Sequence, residues 1–233
     1  MKFFTYYIYK KRWLILLAWG YVAVLVLPTP YTDFFSYHES FEMYMSFWAG
    51  ILSACILTSE DETEFARCYG ASFPRLAFGQ WLPHFLYPLL TAFLSCPLYF
   101  AFHDLRPQGG RDFSSLGVRY MTLLFSVFVT FLFLSALMLF LRVVVRNVYV
   151  SFAAFFVVYF VFYEFRRLLL QGVYPRQLVA CDIWLTGFLF ERAFPVTKDM
   201  WLGNRFGYLI LSISLLLISY LLLKHQQNRT ISS

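Results

Sequence analysis

The chain has 233 residues, of which 60% are hydrophobic and only 14% charged, with 29 Phe, 17 Tyr and 6 Trp. A soluble domain is about half apolar and about a quarter charged, so this balance excludes an ordinary water-soluble globule. The formal charge of +6 does not point to nucleic acid, because the basic residues flank apolar runs instead of forming a stripe with interleaved aromatics.

A bilayer core roughly 30 Å thick takes about 20 apolar residues per helix. On that scale residues 1–233 read as a single all-α transmembrane domain of six spans with short connections. Met1 to Arg12 mixes Phe3, Phe4, Tyr6, Tyr7 and Ile8 with Lys2, Lys10 and Lys11, the composition of an amphipathic helix lying in the headgroup plane. Span one is 13–27 and stops at Pro28. Span two is 41–58, and span three is 76–102, bent where Pro83, Pro88 and Pro97 each remove a helical donor. Span four, 121–141, is followed by the tight polar segment Arg142 to Asn147 and then by span five, 148–163. Between spans five and six, 206–223, the connection carries Leu168 to Leu170, Trp184, Phe188, Phe190 and Trp201. A segment that apolar should not hang in water, so the expectation is short helices resting on or dipping into the outer leaflet, with Leu168, Leu169, Trp184, Phe188 and Phe190 as candidates for an outer gate.

Lys2, Lys10, Lys11 and Arg12 ahead of span one, against a 28–40 loop with no Lys or Arg, place both ends of the chain in the cytoplasm. Arg67, Arg75, Arg142, Arg146, Lys224 and Arg229 agree with that orientation, whereas Arg106, Arg111 and Arg119 oppose it. The location this implies is a cell membrane, bacterial inner or plasma membrane, crossed several times. The four cysteines, Cys55, Cys68, Cys96 and Cys181, have neither a CxxC nor a His at metal-ligand spacing, and read as buried small residues or free thiols.

Catalytic patterns are absent. None of the eleven glycines is followed by Lys, so the chain has no phosphate-cradling GxxxxGK[ST] loop. No two of His38, His84, His103 and His225 stand at HExxH spacing, and GxSxG is missing. Asp61 to Arg67 resembles the EExxxR box of intramembrane CAAX-type proteases only loosely, because the spacing to Arg67 is off by one and no FxxxH follows on a later span. No cofactor or metal is expected in this chain. Ser46, Gly50 and Ala54 on span two, and Gly203 and Gly207 entering span six, have the spacing that lets helices approach closely, within a subunit or between two.

The informative stretch runs from Thr58 to Arg75. Ser59 is an N-cap with Glu62 as its capping-box partner, and Glu60, Glu62 and Glu64 complement the positive end of a helix that stops at Gly70. Phe65, Cys68 and Tyr69 form its apolar stripe, with Arg67 beside them. Gly70-Ala71-Ser72, Pro74-Arg75 and Leu76 to Leu82 follow. This order is similar to the first cytoplasmic loop of ABC-2-type permeases, with Gln80 where that family often has Lys. The six spans, the interfacial start, the tight turn after span four and the semi-apolar outer segment resemble the same architecture.

The resemblance implies the membrane subunit of an ATP-driven ABC exporter. It further implies docking of a separate cytoplasmic ATPase, which would hold ATP and Mg, on Glu60, Glu62, Glu64, Phe65, Arg67 and Tyr69. A second permease subunit, identical or paralogous, would complete the translocation path. Two readings compete: a non-transporting membrane scaffold, sensor or immunity protein, and, more remotely, the CAAX-type protease.

Overall fold

A computed structural model describes residues 116–185 and 196–232. The described residues are helical, with no strand among them. Three α-helices, α1 (Leu116–Val145), α2 (Val148–Leu170) and α3 (Lys198–Ser232), are joined by a two-residue turn and by an insert containing the 3-10 helix Arg176–Cys181. The expected interfacial helix, spans one to three and the 60–69 helix lie outside the described residues.

Within α1 the segment Leu124–Val145, and within α3 the segment Asp199–His225, are long and apolar enough to cross a membrane. Their environments differ. Every residue from Val129 to Ala136 is buried, so α1 is covered on all sides and forms the centre of the described bundle. By contrast α3 leaves Ile210, Ile213, Leu217 and Leu221 exposed, and α2 leaves Val150, Val157, Phe160 and Val161 exposed. A surface helix of a soluble domain carries polar residues on its outer face, and at these positions α2 and α3 carry apolar ones.

Residues Arg146 and Asn147 reverse the chain between α1 and α2. Arg146 adopts a positive φ of 62°, its N–H donates to Arg142 O at 3.0 Å, and the Arg142 side chain donates to its carbonyl. Asn147 then caps α2, its side-chain oxygen accepting from Tyr149 N at 2.9 Å and Val150 N at 3.3 Å. These bonds satisfy two of the donors that a helix start leaves open. Ser151 Oγ donates back to Leu141 O at 3.4 Å, and the rings of Phe133 and Phe162 meet edge-on at 6.0 Å. The two helices are therefore antiparallel.

The order of contacts between α1 and α3 runs the other way. Phe125 meets Trp201, Thr130 meets Arg205, Phe133 meets Tyr208, and Ala136, Leu139 and Val143 share a buried cluster with Leu216. Later residues of α1 pair with later residues of α3, so these two helices are parallel.

Helices stand where the sequence predicts spans four to six, each longer than expected, and those of spans four and six contain the two segments long and apolar enough to cross a membrane. Span five was expected to end at Tyr163, before Glu164, Arg166 and Arg167, yet α2 continues to Leu170. The charges are accommodated in two ways: Arg167 pairs with Glu164 one turn back at 2.7 Å, and Arg166 turns inward. Leu168 and Leu169 thus belong to the last turn of α2. That helix ends where Gly172 takes φ +74°, with Gly172 N donating to Leu169 O and Val173 N to Leu168 O, both at 3.0 Å. This is the left-handed glycine stop that satisfies final-turn carbonyls. The helix-approach reading of Gly203 and Gly207 finds no counterpart among the described residues: both glycines are exposed, and a methyl group at either would meet nothing within 4 Å.

Candidate functional site

The segment after α2 folds into the bundle rather than away from it. Val179, Asp182, Ile183, Trp184 and Leu185 are all buried, and Trp184 is fully enclosed. Its indole meets Tyr159 of α2 edge-on, centroids 5.4 Å apart. Leu185 and Val179 join Leu169 in a small core flanked by Phe165, Val196 and Trp201. Thr130, which reaches this segment, stands near the midpoint of α1, roughly 20 Å from its start at 1.5 Å per residue.

The last turn of a 3-10 helix and the non-helical residues after it leave carbonyls that need partners in such a place. The structure provides a side-chain donor for each of five successive carbonyls. Asn204 Nδ2 donates to Ala180 O at 2.7 Å and to Asp182 O at 3.0 Å. Tyr208 Oη donates to Cys181 O at 2.7 Å, and Thr130 Oγ1 to Ile183 O at 3.4 Å. Arg166 Nη1 donates to Trp184 O at 2.7 Å. The donors come from α1, α2 and α3, so the insert is the piece around which the helices converge.

Charge is concentrated at the same point. Arg166 and Asp182, 2% and 0% exposed, form an ion pair, and the second Asp182 oxygen accepts from Trp184 N at 3.2 Å. Arg205, also fully buried, donates to Thr130 Oγ1 at 2.7 Å, which links α3 to α1 one side chain away from the insert. Thr130 thereby accepts from Arg205 while donating to Ile183 O, a two-way bonding that a hydroxyl allows.

Among the outer gate candidates, the structure places Leu169 and Trp184 in the buried part of this assembly and leaves Leu168 half-buried on the last turn of α2. Phe188 and Phe190 lie outside the described residues, as do Glu60, Glu62, Glu64, Phe65, Arg67 and Tyr69. Cys181 is an exposed free thiol. No group of His, Cys, Asp and Glu suited to a metal ion occurs among the described residues.

Sequence reasoning did not single out Arg166, Asp182, Asn204, Arg205 or Tyr208. A usable signal was present for three of them. Asp182 is the lone acid in the apolar run from Leu178 to Leu185, and Arg205 is the lone charge between Met200 and Leu211. Ionisable residues so placed are functional candidates by default, and Arg166 near the end of an apolar helix is the natural partner for the acid. Comparison of the chain with protein-family models, with curated proteins and with solved structures finds no significant match.

Proposed function

We propose that the chain is the membrane-spanning subunit of an ATP-driven ABC exporter of the ABC-2 type, working with a second permease subunit and a separate cytoplasmic ATPase. The observation that carries the reading is the Thr58 to Arg75 segment: a capped, acidic-start helix pattern with Phe65 and Tyr69 as anchors, in a chain that has several long apolar runs and no phosphate-binding loop of its own. Such a chain cannot draw on ATP by that route except through a partner.

Two features of the described region are consistent with this architecture. The reversal between α1 and α2 takes only Arg146 and Asn147, and the apolar connection between α2 and α3 packs into the bundle. The outward apolar faces of α2 and α3 suit acyl chains, with the bilayer of a cell membrane as the solvent. In this reading the 179–185 insert, with Leu168, Leu169, Phe188 and Phe190, closes the path on its outer side. ATP binding would draw the paired ATPases together and move the spans through the docked helix as rigid bodies.

The test is affinity purification of the tagged chain from its native membrane in mild detergent, followed by assay of Mg-dependent ATP hydrolysis. An ABC ATPase in stoichiometric amount, with hydrolysis that follows it through gel filtration, is the expected result. A chain that purifies with its membrane neighbours but without any ATPase favours the scaffold or immunity reading.

A further inference from the structure

The bonds that hold the insert have an unusual composition. Each of the carbonyls from Ala180 to Trp184 is held by a side chain of another element. The described backbone-to-backbone bonds in this stretch are internal to it: Leu178 N to Pro175 O and Asp182 N to Val179 O, each 3.0 Å. A strand in a sheet or a turn of helix leaves its place only by breaking a ladder shared with its neighbour. No such ladder ties these five carbonyls to a neighbouring helix: displacing the segment takes rotamer changes in Arg166, Asn204, Tyr208 and Thr130, together with the loss of the packing of Trp184 on Tyr159 and of Val179 and Leu185 on Leu169.

The Arg166–Asp182 pair sits at the node of that arrangement. Asp182 receives Arg166 and Trp184 N on its carboxylate and Asn204 on its carbonyl, while Arg166 reaches past it to Trp184 O. Buried ion pairs add little net stability compared with apolar packing, but losing one partner is severe because the other charge stays buried. A pair that joins a helix to a non-helical segment therefore specifies position more than it adds stability. The same segment has a pivot at Gly172, whose φ of +74° suits glycine and which has open space around it, and a rim at Cys181 that is already exposed.

We propose that residues 179–185 form a releasable plug and that the Arg166–Asp182 pair is its latch. When the latch opens, Ile183, Trp184 and Leu185 leave the seam between the helices together, and Thr130, Arg166, Asn204, Arg205 and Tyr208 face the space they vacate. That space is then lined by hydrogen-bond donors of three helices, whereas the closed state presents the apolar faces of the insert. The inference rests on reading this segment as an outer gate, and its test needs no ATPase, so failure of the latch and failure of the exporter reading are seen separately.

The experiment uses the full chain in detergent with Cys55, Cys68, Cys96 and Cys181 replaced by Ser, and a water-soluble maleimide as the probe. Ile183→Cys reports on the plug, with Leu185→Cys as a second reporter, and Ala136→Cys reports on the α1–α3 core; all three native side chains are fully buried. Where opening is fast relative to labelling, the rate follows the open population. Asp182→Asn keeps the shape and removes the charge, and should raise labelling at both plug positions on the order of a hundredfold while Ala136→Cys stays protected. Arg166→Lys, which keeps the charge and loses the planar fork, should raise it about tenfold. If neither variant changes labelling at Ile183→Cys and Leu185→Cys, the pair is not a latch. If Ala136→Cys becomes labelled in parallel in both variants, the pair is a general support of the bundle, and the plug is equally overturned.

Discussion

Thr130 is the hydroxyl on which α1, α3 and the insert meet, and Thr130→Val removes it with almost no change of shape. The native side chain is 1% exposed, accepts from Arg205 at 2.7 Å and donates to Ile183 O at 3.4 Å. A hydrogen bond from a charged donor contributes about 1.5–3 kcal/mol in soluble proteins, and the long second bond adds little. Polar contacts between membrane helices average only about 0.6 kcal/mol, because alternative partners exist in the unfolded state. Since the Arg205 guanidinium is buried and keeps its charge facing the new methyl, the expected loss lies between these figures, about 1.5 kcal/mol, or roughly tenfold in the unfolding constant. Thr130→Ser is the control: it keeps the hydroxyl and gives up one methyl, about 0.8 kcal/mol. Reversible unfolding of the full chain in mixed micelles, followed by helical circular dichroism, gives both values. Val should be the more damaging substitution; if Ser proves equal or worse, the packing of the methyl and not the bond to Arg205 explains the position.

Two further outcomes follow from local geometry and a third from the distribution of basic residues along the sequence. Asn147→Ala deletes the side-chain acceptor for Tyr149 N and Val150 N and should lower stability by about 1 kcal/mol in the same micelle assay, whereas Asn147→Asp, which retains the acceptor, should lose much less. Gly172→Ala meets no neighbour within 4 Å, so its cost is conformational alone, about 1–2 kcal/mol from the +74° φ, and Gly172→Asn should cost less because Asn tolerates that region. In a cysteine-free background in intact cells, Ser36→Cys should react with an impermeant maleimide from outside and Arg229→Cys only after permeabilisation; the reverse pattern removes the cytoplasmic placement of the 60–69 segment.

The helices at the positions of spans four to six were legible because long apolar runs bounded by Arg142, Arg146 and Asn147 leave few alternatives, although the reversal expected over Arg142 to Asn147 takes only Arg146 and Asn147. Their ends were less legible. Three charges at Glu164, Arg166 and Arg167 read as a helix end, yet two of them pair along one helix face and the third finds Asp182, so none of them stops α2. The end is set instead by Gly172. The apolar character of the connection pointed to short helices at the outer leaflet, whereas Trp184 is buried within the protein against Tyr159. The cradle around it was not foretold, because its donors come from positions as distant as Thr130, Arg166 and Tyr208. Helical periodicity assigns each residue to a face of its own helix but carries no information on which carbonyl of a non-helical segment will lie opposite.

The exporter reading meets its most direct test at the helix expected over 60–69. Binding energy at an interface concentrates in a few aromatic or Arg anchors, so truncating one commonly costs about 2 kcal/mol or more, whereas a rim charge alters mainly association rate and salt dependence. The measurement is the amount of ABC ATPase that co-purifies with tagged wild-type chain and with Phe65→Ala, Tyr69→Ala and Glu60→Gln, each normalised to the chain recovered from the membrane. The prediction is that Phe65→Ala and Tyr69→Ala lose most of the partner while Glu60→Gln keeps it; retention of the ATPase by both aromatic variants at the wild-type level, with ATP turnover unchanged, would contradict the assignment of this segment as the docking element.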